Sequence, residues 1–314
     1  MKFFIYSPYH RTGGPESLHQ YCDMMNLLGH DAYMYYWNIR APPDQPLSAV
    51  SIHPDAPPLY TEKYAHLKRA VIVEDSEKNT MIIPEIISIE KIRKSFPKIR
   101  VAVAWLSMAS GLPLLNEYLS DPKLIHLFQS HWAKTHVTDA ATGAIISYNM
   151  DDYIPDEYTM QTWNPEQKED IVAYNPAKDS DTPAICLELG VKCIPIQNMD
   201  TLGVMNTLKR CKVYVDLGHH PGRDRMPREA ALVGCVVVTN LKGTAAFYED
   251  VMIETRSNER NCQLEFIKRA ITDYPTMISK QDNYVSFILD QKKKLAGQMH
   301  AFISTTSGHS QVTI

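Results

Sequence analysis

The stretch GHHPGRDRMPREAALVGCVVVTN, residues 218–240, sets two histidines, three arginines, Asp224 and Glu229 in front of an apolar run. It follows KVYVDL, which reads as a buried strand, and runs into a helix expected to start near Pro227, where proline suits the first turn. The N–H groups of that turn would point into the loop that holds Gly222, Arg223 and Arg225. Two guanidiniums and a helix N-terminus suit a diphosphate, because arginine pairs phosphate oxygens in a bidentate way. Glu229, one turn further in, has the reach to accept hydrogen bonds from a pair of sugar hydroxyls. The same residues also allow a plain surface ion network of Asp224, Arg225 and Glu229. A metal site built from His219, His220 and Glu229 is disfavoured: adjacent histidines in extended chain point to opposite sides, and no zinc-type spacing occurs. His219 stays among the donor-side candidates, and no metal is expected.

Two other loops have a similar placement. YHRTGGPES, residues 9–17, follows the first strand and opens the first helix, where α/β proteins bind anions and ligands. Gly13 and Gly14 would let a ligand, here the donor diphosphate or its nucleotide, approach the main chain, although a tight turn explains them equally well. The dinucleotide fingerprint G-x-G-x-x-G is absent. AYNPAKDSDTP repeats this position further along, with Asn175 and with Lys178 as a point charge for a phosphate or as an ordinary surface lysine. Catalytic candidates are His10, Glu85, Ser107 and His131. MIIPEI and AWLS end two strands, so Glu85 and Ser107 are expected at one rim, with Glu85 alternatively capping the helix after it. His10 and His131 are the histidines best placed for a substrate, and each has an alternative structural reading. No G-x-S-x-G elbow and no catalytic cysteine context exist.

These loops need elements to carry them. KFFIYSP, PESLHQYCDMMNLLGH and DAYMYYW read as strand, helix, strand, a unit that closes as a right-handed parallel crossover. After a proline-rich connection, AVIVE, MIIPE, VAVAWLS, IHLFQS and AIIS read as further strands, with helices expected over 86–95, 110–119 and 132–140. The polar segment 150–169 is the expected linker. DIVAYNP, VKCIPIQ, KVYVDLG and CVVVTN then alternate with helices expected over 181–190, 201–210 and 227–234. Residues 258–303 are helical by pattern, and the tail TTSGHSQVTI is expected to be mobile. The expected domains are 1–160, joined by a helix over 285–304, then 165–284, and a flexible tail over 305–314.

Composition sets limits. The 314 residues are 44% hydrophobic with a net charge of −4, which gives no global reason to bind nucleic acid or an anionic membrane. Lys91, Arg93, Lys94, Lys98 and Arg100 form a basic cluster read as a solvated helix face, with at most peripheral membrane contact. The six cysteines never form C-x-x-C and read as buried free thiols of a reducing compartment. With no apolar run of membrane-spanning length and no signal peptide, a cytoplasmic location is the expectation.

The GG-P-E loop, the tandem α/β halves and the segment VYVDLGHHPGRDRMPREAALVGCVVVTN together resemble the retaining group-1, family 4-like, GT-B glycosyltransferases. Their hallmark is E-G-F-G-x-x-x-x-E-A-x-A-x-G-x-P-V-V. Laid on this chain, it puts Glu229 on the second glutamate, Ala230 on the alanine, Gly234 on the glycine and VVVT on the strand. The resemblance implies an α/β GT-B fold: two Rossmann-like parallel-sheet domains facing a cleft, with a C-terminal helix packing back on the first. It also implies a glycosyltransferase that takes a UDP- or GDP-linked sugar as substrate, without further cofactor, and moves it with retention to a glycan or other acceptor. Glu229 would hold the ribose and Lys178 would meet the diphosphate. Pro221 stands where the family has its first glutamate, and Arg223-Asp224 replace Phe-Gly, so the contacts to the sugar differ. A DNA-base glycosyltransferase, a non-catalytic nucleotide-sugar or glycan-binding module, and an isomerase or epimerase of the same fold remain alternatives.

Overall fold

A computed structural model describes residues 1–8, 12–37 and 59–306. The chain divides into two units, 1–153 with 292–314, and 154–291.

The first unit starts with β1 (Lys2–Pro8), α1 (Gly13–Leu27) and β2 (Asp31–Trp37). Pro15 sits in the first turn of α1, and Gly29 follows its end with φ 83°. Then come β3 (Thr80–Pro84), α2 (Ile89–Ser95), β4 (Arg100–Trp105), α3 (Met108–Gly111), α4 (Leu115–Leu119), β5 (Ile125–Phe128), α5 (His131–Ala140) and β6 (Ile146–Asn149). The six strands form one parallel sheet in the order β2-β1-β3-β4-β5-β6. β3, β4 and β5 have almost no polar positions because helices or loops cover both faces.

The second unit contains α6 (Asp156–Thr159), β7 (Glu169–Tyr174), α7 (Thr182–Leu189), β8 (Lys192–Pro195), α8 (Thr201–Arg210), β9 (Cys211–Asp216), α9 (Arg225–Leu232), β10 (Val236–Thr239), α10 (Arg260–Thr272) and α11 (Tyr274–Ser279). Its four strands are parallel, in the order β10-β9-β7-β8. α12 (Asp282–Thr306) gives Tyr284 and Ile288 to the core of this unit, and Leu295, Met299, Phe302 and Ile303 to the core of the first.

Several expectations are corrected. AVIVE is not a strand: Val71 and Ile72 are exposed and only Val73 is buried. The segment meets the outer side of β2 only at the bridge between Arg69 and Met34 and at Ala70 N, which donates to the Met34 carbonyl at 2.9 Å, so the pairing stops at the first residue of the run. The expected helix over 110–119 is broken into α3, a 3-10 turn Leu112–Leu114 and α4, because Pro113 lacks the N–H that would continue it. α2 starts at Ile89, where Ser88 Oγ accepts from Lys91 N at 3.4 Å. α9 begins at Arg225, two residues before Pro227, and the proline still lies among the first N–H groups that have no helical acceptor.

The expected linker is largely buried at its start. Met150 and Tyr153 belong to the first core, Ile154 and Tyr158 to the second, and Asp151 N donates to Gln298 Oε1 at 2.8 Å. Its polar residues hid these apolar anchors. All six cysteines are free, but Cys193 is half-buried and Cys262 exposed, so only Cys22, Cys186, Cys211 and Cys235 match the buried reading. In the basic cluster, Arg93 grips Asp121 with two nitrogens and Arg100 bonds the carbonyls of Glu77 and Thr306, while Lys94 and Lys98 stay exposed. α12 runs to Thr306, so 305–306 are helical, and the rest of the expected tail lies outside the described residues. Among the described residues no helix is long and apolar enough to cross a membrane.

Candidate functional site

In the second sheet the chain leaves β7 toward β8 on one side and returns to β9 on the other, so the crevice between β7 and β9 is the topological switch point where α/β sheets bind ligands. The loops at the carboxyl ends of these two strands carry Asn175 and Lys178, and His219, Gly222, Arg223 and Arg225. They touch closely. A Cβ on Gly218 would fall 2.6 Å from both the Cβ and the carbonyl oxygen of Lys178, so only glycine fits there.

Lys178 Nζ lies 2.6 Å from Asp224 Oδ2, and His220 Nδ1 approaches the same oxygen at 2.8 Å. Burial raises the Asp224 carboxyl, but the His220 hydrogen bond and Lys178 outweigh it and hold the group below its ordinary value. Burial lowers His220, yet its bond to Asp224 and the charge of Asp216 raise it above 6.5 overall. Asp216 is raised, mainly by burial, with Tyr214 Oη donating to it at 3.2 Å. Asp216, His220 and Asp224 bring ligand atoms within 4.8 Å of one another, the spacing a metal ion would need. In this arrangement the shared Asp224 oxygen already takes two charged donors, so the three residues work as an ion-pair network. His219 is exposed while His220 is buried, as opposite orientations of neighbours require.

The arginines divide their work. Arg225 Nη2 lies 3.3 Å from Glu229 one helical turn on, and both remain partly accessible. Tyr158 adds a hydrogen bond to Glu229 from α6. Arg223 turns inward: it reaches Asp250 at 3.2 Å and lies over the Phe287 ring at 5.5 Å. The reading of Arg223 and Arg225 as an equal pair of phosphate ligands therefore shifts toward Arg225. Arg228, which the sequence analysis passed over, is fully buried and holds the loop by its main chain. It donates to the Asp224 carbonyl at 3.1 Å, to the Arg223 carbonyl at 2.8 Å and to Gln291 Oε1 at 2.9 Å. Its signal was the four-residue spacing from Asp224, which sets the side chain back over the helix start.

Other supports were also unread. Buried Asp179 accepts from Thr182 N at 3.1 Å and from Leu217 N at 3.1 Å, capping α7 while tying the two loops together. The order Asp-x-x-Thr-Pro ahead of an apolar helix was a readable capping signal. Asn240 donates to the Leu217 and Gly218 carbonyls, and Thr244 bonds those of His220 and Gly222. Asn175 closes its own turn, accepting from Ala177 N at 3.1 Å. Gly234, on the family glycine, has φ 81° and lies face to face with Trp163.

The first sheet repeats the topology, with its switch point between β1 and β3. Gly13 and Gly14 form the opening of α1, and a Cβ on Gly14 would meet Leu106 Cδ1 at an ordinary 3.6 Å. Glu85 is buried and accepts from Leu106 N at 3.1 Å, so it holds the end of β4 rather than capping α2. Burial pushes its carboxyl up to about 7 against those backbone donors. Ser107 Oγ lies 2.9 Å from Ser110 Oγ. Glu85, Ser107 and Gly14 thus meet around Leu106. His131 opens α5 one strand further along. His10 lies outside the described residues.

No protein-family model and no curated protein matches the chain. Solved structures do. Trehalose-6-phosphate from E. coli bound with UDP-2-fluoro glucose aligns at 10% identity and TM-score 0.63 over 99% of this chain and 100% of that one. Sucrose-phosphate synthase from Thermosynechococcus elongatus aligns at 12% and TM-score 0.64 with the same coverage. An α-glucosyltransferase in complex with UDP and a 13-mer DNA containing an HMU base aligns at 12% and 0.56 over 98% and 99%. At such identities the likeness is one of fold, and the chain has the GT-B fold.

Proposed function

We propose that the protein is a glycosyltransferase that takes a nucleoside diphosphate sugar at the β7–β9 switch point and passes the sugar to an acceptor bound by the first unit. The observation that carries this reading is the composition of the β9–α9 edge. Lys178, Arg223 and Arg225 pair with Asp224, Asp250 and Glu229, and Arg228 adds a fourth cation held by the Asp224 and Arg223 carbonyls and Gln291. A diphosphate is the ligand that such an edge, next to the N-terminus of α9, would neutralise.

In this reading Glu229 accepts from the ribose hydroxyls. As the glycosidic bond lengthens, charge gathers on the leaving diphosphate, and Lys178, Arg225 and the first N–H groups of α9 stabilise it. These side chains take on a charge load that a divalent cation would otherwise carry. Retention with a same-face route is what the family resemblance implies, and a uridine donor agrees with the ligand of the trehalose-6-phosphate structure. Glu85 and Ser107 are the acceptor-side candidates.

The test is a thermal-shift series with UDP, GDP and their glucose conjugates on the wild type and on Glu229→Ala, since a ligand specific for the native state raises its melting temperature. Loss of two charge-assisted hydrogen bonds, at about 1.5–3 kcal/mol each, should weaken the preferred nucleotide by about 100-fold or more. An unchanged shift with Glu229→Ala would discard the site. A second reading, with a base in DNA as acceptor, draws on the likeness to the α-glucosyltransferase complex with DNA. A steep fall of duplex binding with salt would favour it.

A further inference from the structure

Away from this edge, at the amino-terminal side of the first sheet, the segments entering β5 and β6 leave a cavity of about 160 Å³. Its wall includes Asp121, Leu124, His126, Ala141, Thr142 and Ala144. His126 is 1% exposed, and its chemistry is set from behind. Trp105 Nε1 donates to His126 Nδ1 at 3.1 Å, with the rings 9° from coplanar. An indole N–H can only donate, so Nδ1 must carry the lone pair and Nε2 must carry the proton. Burial lowers the ring to about 4 against the pull of Asp121, so near neutrality it holds that single proton. Among the described residues no group accepts from Nε2–H.

A protonated Nε2 cannot ligate a metal, so the cavity calls for an acceptor. The opposite needs come from the rim. Asp121, shared with Arg93, accepts, and the segment from Ala141, just past the C-terminal end of α5, forms the wall beside it. An anion would face that carboxylate and the negative end of the α5 dipole, and a cation would face Nε2–H. Groups that both accept and donate satisfy both sides. An apolar cavity of about 150 Å³ is known to hold one benzene ring, so a space of this size admits a single six-membered ring, with substituents directed to the mouth. We propose that this cavity binds one neutral, polyhydroxylated six-membered ring, a pyranose unit or a cyclitol, with a ring hydroxyl accepting from His126 Nε2–H. This site is separate from the proposed transfer site and does not depend on it.

The experiment is a long-range proton–nitrogen spectrum of the imidazole-labelled full chain, titrated with myo-inositol and separately with inorganic phosphate. Expected are a His126 ring protonated on Nε2, a saturable shift of that resonance with myo-inositol, and none with phosphate. Ala144→Trp, at the exposed rim, closes the mouth without touching the Trp105–His126 bond, and should abolish the shift while His126 keeps its tautomer. His126→Phe should weaken binding about tenfold, as for one lost hydrogen bond. A proton on Nδ1, no myo-inositol shift, a shift equally caused by phosphate, or one that survives Ala144→Trp overturns the proposal.

Discussion

The two carboxyl-terminal sheet edges share a topology and differ in how they hold charge. At the β7–β9 edge every loop is tied by another loop: Arg228, Asp179, Asn240 and Thr244 bond its main chain, and the charged side chains pair across it. At the β1–β3 edge one buried carboxyl, Glu85, grips backbone N–H groups at Leu106 and Ser107, and the neighbouring residues are glycine and serine. A densely braced, ionised edge suits a ligand of fixed shape and high charge. A neutral one leaves room for a partner recognised by hydroxyl contacts.

This contrast is open to direct attack. Arg228→Met should have the largest effect, about 3 kcal/mol of unfolding free energy in a urea melt, because it leaves buried carbonyls and Gln291 without donors. A loss below about 1 kcal/mol would mean that Asn240 and Thr244 brace the loop without it. Gly218→Ala follows, at about 2 kcal/mol, since the new methyl cannot coexist with Lys178 in place. It should lower nucleotide affinity along with stability.

The third effect is on pH. His220 lies above 6.5 in the folded state, so its pairing stabilises fully below that value and is lost as pH rises through the folded one. Asp224 lies below 3.8, so its contribution is present above 3.8 and is lost as pH falls through its folded value. Asp216, raised by burial, costs less once protonated, which acts in the same direction as His220. Melting temperature and nucleotide affinity should therefore both fall from weakly acid to alkaline pH, and His220→Gln should flatten the profile. Smallest is Gly14→Ala, which should move stability by less than about 0.5 kcal/mol, as its methyl meets Leu106 at ordinary contact distance. A loss comparable to Gly218→Ala would erase the distinction between the edges.

The parallel sheets were readable because their strands are apolar without alternation and are separated by helix-length segments, and because GG-P-E and GRDRMPRE stand where strand ends meet helix starts. Side chains that serve the main chain were harder to read. Arg228 looks like a third surface charge until its neighbours are placed, and Asp179 acts partly across 38 residues, on Leu217. The opposite error came from Val71 and Ile72, whose composition says strand although the pairing with β2 stops at Ala70. Polarity misled at 150–158 as well, where four apolar residues set at intervals among acids anchor two cores.

The division of α12 between two cores has a consequence for synthesis. Residues 154–291 supply a continuous set of strands and helices, and the core of that unit is complete once Ile288 is made. The first unit, although begun earlier, lacks Leu295, Met299, Phe302 and Ile303 until the last turns of helix leave the ribosome. Folding from the N-terminus onward, the usual order, is reversed for these two cores, and the first sheet must wait with one face only partly covered, by α1 and residues 60–67, while the second closes.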